Sequence, residues 1–261
     1  MSKQTQLKKK YIANFMSKWD NWRALLQTLV EEPAGQLICP TSRELTFEET
    51  PCNSIQVKLP YSICMYGIPQ KLNRRCTNKI VVFIDGNYEL EQKEENLRRI
   101  KSSIAFYKVD GKKLNLMDAY HFDFFDSLVE GHAPHPIFHA QRDIRCNEVE
   151  PRFNLALQNI PSLGHVTLTL TDASKKSKLF QFGAFRIPTP QMDIFNLGAV
   201  VVADQLVGHD CDKRWGHFKK LLESIHGAYG EAHHIKTPEL HKAGIYKTPR
   251  KSVADWYLAR A

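Results

Sequence analysis

The chain has no apolar run approaching the roughly 20 residues that a helix needs to cross a bilayer; its longest apolar stretches, such as residues 198–203, stop far short. No membrane contact is expected. Its six cysteines, Cys39, Cys52, Cys64, Cys76, Cys146 and Cys211, include no Cys-x-x-Cys pair, which argues against zinc ribbons and knuckles. The opening residues Met-Ser-Lys-Gln-Thr lead into mixed charged and apolar positions, unlike a secretory signal. The expectation is therefore a cytoplasmic chain whose cysteines are reduced and mostly buried. There is no Gly-x-x-x-x-Gly-Lys loop, no Gly-x-Gly-x-x-Gly and no Gly-x-Ser-x-Gly elbow, so the common nucleotide-binding and hydrolase signatures are missing. Internal repeats and low-complexity tracts are absent too.

What is there is enough apolar surface for a folded core. Over 261 residues, 43% are hydrophobic and 10% aromatic, which excludes a predominantly disordered chain. The formal charge is +8, and its distribution is uneven. Lys3, Lys8, Lys9, Lys10, Lys18 and Arg23 face Asp20 alone in residues 1–23, and residues 209–261 carry ten Lys or Arg against six Asp or Glu. The body between them is close to neutral. The division expected is a basic N-terminal helix (1–35), an α+β core (36–208) and a basic, His-containing C-terminal helical segment (209–261). Basic ends of this kind attract nucleic-acid phosphates or an acidic partner subunit, and Lys8, Lys9 and Lys10 are the first candidates for that contact. The same charges also serve as a solubilising surface.

Apolar residues from Leu7 through Phe15, Trp19, Trp22, Leu26 and Leu29 recur every three or four positions, which predicts an amphipathic helix over 3–32, ended before Pro33. Beyond it, short runs rich in β-branched and aromatic residues at 55–65, 79–84, 104–109 and 114–125 predict strands, with Asp110-Gly111 as a hairpin turn. The acidic stretch 89–99 reads as an exposed loop or short helix. Further strands are expected at 135–141, 165–171 and 179–186, then a buried helix at 191–207 following Pro188-Thr189-Pro190. A helix at 214–226, with Asp212 as its N-cap, and a short one at 252–260 complete the pattern. The fold class predicted is α+β: an antiparallel sheet packed by the N-terminal amphipathic helix and C-terminal helices.

All eleven histidines lie between His121 and His241. In Tyr120-His121-Phe122-Asp123-Phe124 the two-residue period of a strand sets His121 and Asp123 on one face. In residues 135–141 it does the same for His135, Ile137, His139 and Gln141. If the two strands pair, imidazoles, a carboxylate and an amide converge, as acid–base catalysis or a mononuclear Zn²⁺ or Mn²⁺ site requires. The metal set would be His121, Asp123, His135 and His139. The structural alternative is that these histidines bond to carbonyls and Asp123 caps a turn. His209-Asp210-Cys211-Asp212 with His217 offers ligand types at short spacing, but no second cysteine lies nearby to complete a common structural set.

Two resemblances arise from these motifs. His165-Val166-Thr167-Leu168 is similar to the His-x-Thr strand of two-histidine phosphoesterases, although the second copy that the family uses is missing. The order Ile104-Ala105-Phe106-Tyr107, Tyr120-His121-Phe122-Asp123, His135-Pro136-x-x-His139 and Arg186-Ile187-Pro188 resembles an uncharacterised bacterial domain-of-unknown-function family, some members of which are encoded near phage-defence genes. That resemblance implies an α+β domain and nominates Asp123, His135, His139 and Arg186 as site residues.

The leading expectation is an accessory or regulatory protein, without cofactor, that binds nucleic acid or a partner subunit through Lys8, Lys9, Lys10 and Arg186, in a phage-defence or toxin–antitoxin assembly. The alternative is a phosphodiesterase or nuclease centred on His135 and His139 with Asp123, with or without Zn²⁺ or Mn²⁺.

Overall fold

The computed structural model describes residues 3–33, 35–50, 54–69, 79–91, 97–111, 113–125, 138–142, 150–160, 167–169, 186–188, 192–207 and 212–229. The predicted N-terminal helix is α1 (Lys3–Glu31). Its three-and-four spacing does what such spacing implies: Trp19, Trp22, Leu26 and Leu29 are buried together, while Lys9 and Lys10 are exposed. Full burial of an indole leaves its N–H in need of an acceptor, and Trp19 Nε1 donates to the Pro40 carbonyl at 2.8 Å.

Among the described residues the chain then builds a ten-stranded sheet: β1 (Gln36–Ile38), β2 (Thr46–Glu49), β3 (Ser54–Lys58), β4 (Ile63–Pro69), β5 (Lys79–Glu91), β6 (Leu97–Asp110), β7 (Lys113–Phe125), β8 (Phe138–Arg142), β9 (Thr167–Thr169) and β10 (Arg186–Pro188). The principal order is β1-β4-β5-β6-β7-β8-β10. Two long strands carry branches. The first half of β5 pairs with β4 and its second half with β3, while β7 holds β9 at its start and β8 at its end. Pairing is antiparallel except for β9 on β7.

Several expectations are refined here. The run 55–65 is two strands, β3 and β4; of the acidic stretch 89–99, residues 89–91 end β5 and 97–99 begin β6, strands where a loop or short helix was expected, while 92–96 lie outside the described residues. Glu89 lies opposite Arg99 and Ser54 opposite Glu91, so the ladder runs through these polar positions. The β6–β7 hairpin closes on the pair Asp110 and Lys113, with Gly111 at φ +57° in the turn. Gly67, at φ +77°, sits where the β4–β5 register shifts, a bulge position that suits glycine. A second shift falls in β7. Phe106 faces Asp118 while Tyr107 faces Leu116, so Met117 is the extra residue.

Helices cover both faces of the sheet. On one, α1 joins α3 (Ile194–Val201), which continues as a π-helical turn (Val202–Leu206), and α4 (Asp212–Tyr229). Their apolar sides meet Val82, Ile84, Ile104 and Tyr88 in the main core, with Phe195 at the centre of an aromatic group that includes Phe15, Trp19 and Trp22. The opposite face receives α2 (Glu150–Gln158), which the sequence reading did not anticipate; its Phe153 stacks on Phe83 at 4.4 Å between ring centres. Covering on both sides explains why residues 80–84 form an unbroken apolar run. Asp193 caps α3, accepting from the Asn196 backbone amide at 2.9 Å. Asp212, expected as a cap, is instead the first residue of α4. The mixed α+β architecture is as predicted; the expected helix at 252–260 lies outside the described residues.

Candidate functional site: a polar region on the sheet

Residues directly opposite one another in a ladder share a face, so the register places side-chain positions without further assumption. On the face that receives α2, Val81, Phe83, Ala105, Tyr107 and Ala119 form an apolar end. Farther along the same strands that face turns polar. One row across the sheet reads Asp85 (β5), Ser103 (β6), His121 (β7), Gln141 (β8), Arg186 (β10). The next row reads Asn87, Lys101, Asp123, His139, Pro188. Pairing of β7 with β8 thus brings His121, Asp123, His139 and Gln141 into neighbouring positions, and β10 adds Arg186 at the sheet margin. Lys101 is exposed, and Ser103, His121 and Gln141 are partly exposed.

The border between the apolar and polar ends is Asp85. Its carboxylate is buried and ion-paired to Arg152 Nη1 of α2 at 3.0 Å. Ser62 Oγ and the Gly86 amide also donate to it. Burial pushes the Asp85 carboxyl above its usual range, opposed by the Arg152 charge and by the hydrogen bonds from Ser62 and Gly86. Arg152 Nη2 donates to the Leu59 carbonyl as well. This guanidinium is therefore committed to docking α2; the cationic positions of the two rows are Lys101, Arg186 and, where β3 extends the second row beside Asn87, Lys58, which is ion-paired with Glu48.

Other sequence-nominated residues fall elsewhere. His135 lies outside the described residues, as does His165. Thr167 pairs with Lys113 at the hairpin end of β7, eight residues from His121, or about 25 Å along a strand. The His-x-Thr segment and the His121 row are consequently separate features. Lys8 is ion-paired with Glu49 of β2, whereas Lys9 and Lys10 are exposed on the outer side of α1. His217 of α4 has its Nδ1 3.9 Å from Glu32, at the end of α1, and Arg214 Nε is 3.8 Å from the same carboxylate. His209 and Cys211 lie outside the described residues. The cysteines that are described, Cys39 and Cys64, are free and buried, and burial raises both thiols well above their ordinary range.

Lys101 and Ser103 were not nominated by sequence reasoning. Their signal is weak: Arg99, Lys101 and Ser103 share one strand phase, but Ser102 interrupts the apolar phase between Ile100 and Ile104, and the polarity of the neighbouring stretch suggests a loop. Asp85 had a signal too, a carboxylate ending a five-residue apolar run. No protein-family model, curated protein or solved structure matches the chain.

Proposed function

We propose that this chain is an accessory nucleic-acid-binding protein and that its contact surface is the polar end of the sheet, across β6, β7, β8 and β10. The observation that carries this reading is the pair of rows in which Lys101, His121, His139, Gln141 and Arg186 occupy one face, with Asp123 and, at the α2 end, Asp85 as the carboxylates of the same rows. Cations and amide or imidazole donors at strand spacing suit a phosphate backbone, for which charge supplies most of the affinity. The exposed Lys9 and Lys10 add positive charge on the α1 side of the molecule. A protein partner would need no such phosphate-like dependence on salt.

The test is fluorescence anisotropy with labelled single-stranded and duplex oligonucleotides at several salt concentrations. Affinity is expected to fall steeply with salt and to vary little with sequence. Reversing one phosphate contact, in Lys101→Glu or Arg186→Glu, should weaken binding to all sequences and reduce the salt slope by about one. Reversal of Lys9 and Lys10 decides whether the outer side of α1 extends the surface. A parent protein without salt-sensitive binding removes the proposal, and unchanged affinity in both sheet variants moves the contact off this face.

A further inference from the structure

Resting on the nucleic-acid reading of this face, we infer that Arg152, Ser103 and Lys101 form a phosphate subsite where the polar rows meet α2, with Asp85 as the residue that positions Arg152. Docking α2 occupies two of the five N–H groups of the guanidinium, one toward Asp85 at 3.0 Å and one toward the Leu59 carbonyl at 2.5 Å. The remaining N–H groups make no hydrogen bond among the described residues, and the side chain is 29% exposed. A guanidinium held by a buried carboxylate and still open to solvent is preorganised, because its rotamer freedom is already lost on folding.

Two further donors stand beside it. Ser103 of β6 lies directly opposite Asp85 and on the same face, which sets their Cα atoms about 5 Å apart. It is partly exposed, and its hydroxyl has no hydrogen-bond partner among the described residues. Lys101 is two positions along β6 on that face, about 6.6 Å from Ser103; it is exposed and makes no ion pair among the described residues. The three groups give an anion different things. Asp85 offsets the formal charge of Arg152, so that pair acts mainly through the direction of its N–H groups. Lys101 is a point charge with no such offset, and Ser103 adds a neutral hydroxyl. A phosphate group meets all three: two oxygens take the guanidinium fork, and a tetrahedral centre leaves another for the hydroxyl and the ammonium. A planar carboxylate has only the two. Phosphate chemistry is common to a terminal monoester and a backbone diester.

The experiment follows fluorescence anisotropy of the full chain with a 3′-labelled single-stranded oligonucleotide bearing either a 5′-phosphate or a 5′-hydroxyl. Inorganic phosphate or acetate is added as competitor at ionic strength matched with sodium chloride. Inorganic phosphate is expected to displace the oligonucleotide beyond the chloride control, and acetate is not. Arg152→Lys keeps a charge beside Asp85 and removes the fork, so affinity should fall about tenfold with the salt slope unchanged. Lys101→Ala should reduce the slope as well. Ser103→Ala, at a partly exposed position, should weaken binding about threefold and decides the matter where Arg152→Lys melts early. With those responses, tighter binding of the 5′-phosphate assigns the subsite to a terminal phosphate and equal binding assigns it to the backbone, and either supports the inference. Salt-sensitive binding that ignores both Arg152→Lys and Ser103→Ala confines Arg152 to docking α2, overturns the inference and leaves the binding proposal standing. Acetate that competes as well as phosphate does the same. A parent protein without salt-sensitive binding overturns both.

Discussion

Asp85 is the residue whose chemistry is most constrained by its surroundings. Its carboxylate serves Arg152, Ser62 and the Gly86 amide at once. Asp85→Ala leaves those donors without an acceptor at a buried point and should cost about 2–4 kcal/mol, measured by denaturant unfolding. Asp85→Asn keeps an acceptor oxygen and removes a charge that burial disfavours, so its cost should stay within about 1 kcal/mol. The pH dependence separates the two effects. Because burial raises the folded-state pKa, the folded chain still holds this proton where the unfolded chain has released it. The contribution of Asp85 to stability is therefore greatest below the unfolded value of about 3.9 and declines as pH rises through the folded one. The stability of the parent relative to Asp85→Asn should rise as pH falls through that window. The opposite slope would mean that the ion pair with Arg152 outweighs desolvation.

At the scale of elements, the seam between α1 and α3 turns on one missing methyl. A Cβ on Gly198 would lie 2.7 Å from Cζ2 of Trp22, a separation that forces the indole or α3 to move. Gly198→Ala should destabilise by about 1–3 kcal/mol in spite of alanine's better helix propensity. Trp22→Phe in the same chain should recover part of that loss, so the pair is non-additive in a double-mutant cycle; additive costs would place the strain elsewhere. α1 was legible because its amphipathic period is local to the sequence. β7 was nearly as legible, since the Asp110-Gly111 turn announces one end and Tyr120, Phe122 and Phe124 alternate along the other. The ends of β5 and β6 were not, because a ladder partner far along the chain pays no regard to the polarity of the residues it bonds. α2 hid for another reason: it is nine residues long, and among those whose burial is described Phe153, Ala156 and Leu157 carry its buried face.

For the molecule as a whole, α1 belongs to the main core even though its sequence reads as a separate basic segment. Trp19, Trp22, Leu26 and Leu29 are buried in the cluster that also holds the sheet residues Val82, Ile84 and Ile104. Removing residues 1–32 strips those side chains from one face of the sheet, and burial of each is worth about 1.5–3 kcal/mol. The truncated chain should fail to give a cooperative melting transition; a sharp transition near that of the parent would show that the sheet and remaining helices fold unaided. The histidine-bearing alternation was visible in the sequence, but the register that sets His121 beside His139 was not, because it depends on which residue of β8 meets which residue of β7. Periodicity assigns a residue to a side of its own strand and leaves the phase between strands open.

The extra residue Met117 governs that phase within β7. Leu114 and Leu116, before it, and Ala119, His121 and Asp123, after it, occupy the same face although their numbers change from even to odd. The strand thus carries two reading frames joined at one position, the first set by packing beneath α2 and the second by the polar rows. A length change within β7 has a meaning that no substitution has. Loss of a single residue at the junction merges the frames and turns either the apolar end or the polar rows through the sheet, whereas paired insertions or deletions preserve both. Related chains that keep this surface can therefore vary freely in composition around Met117 while being held to one parity of length between the hairpin and His121.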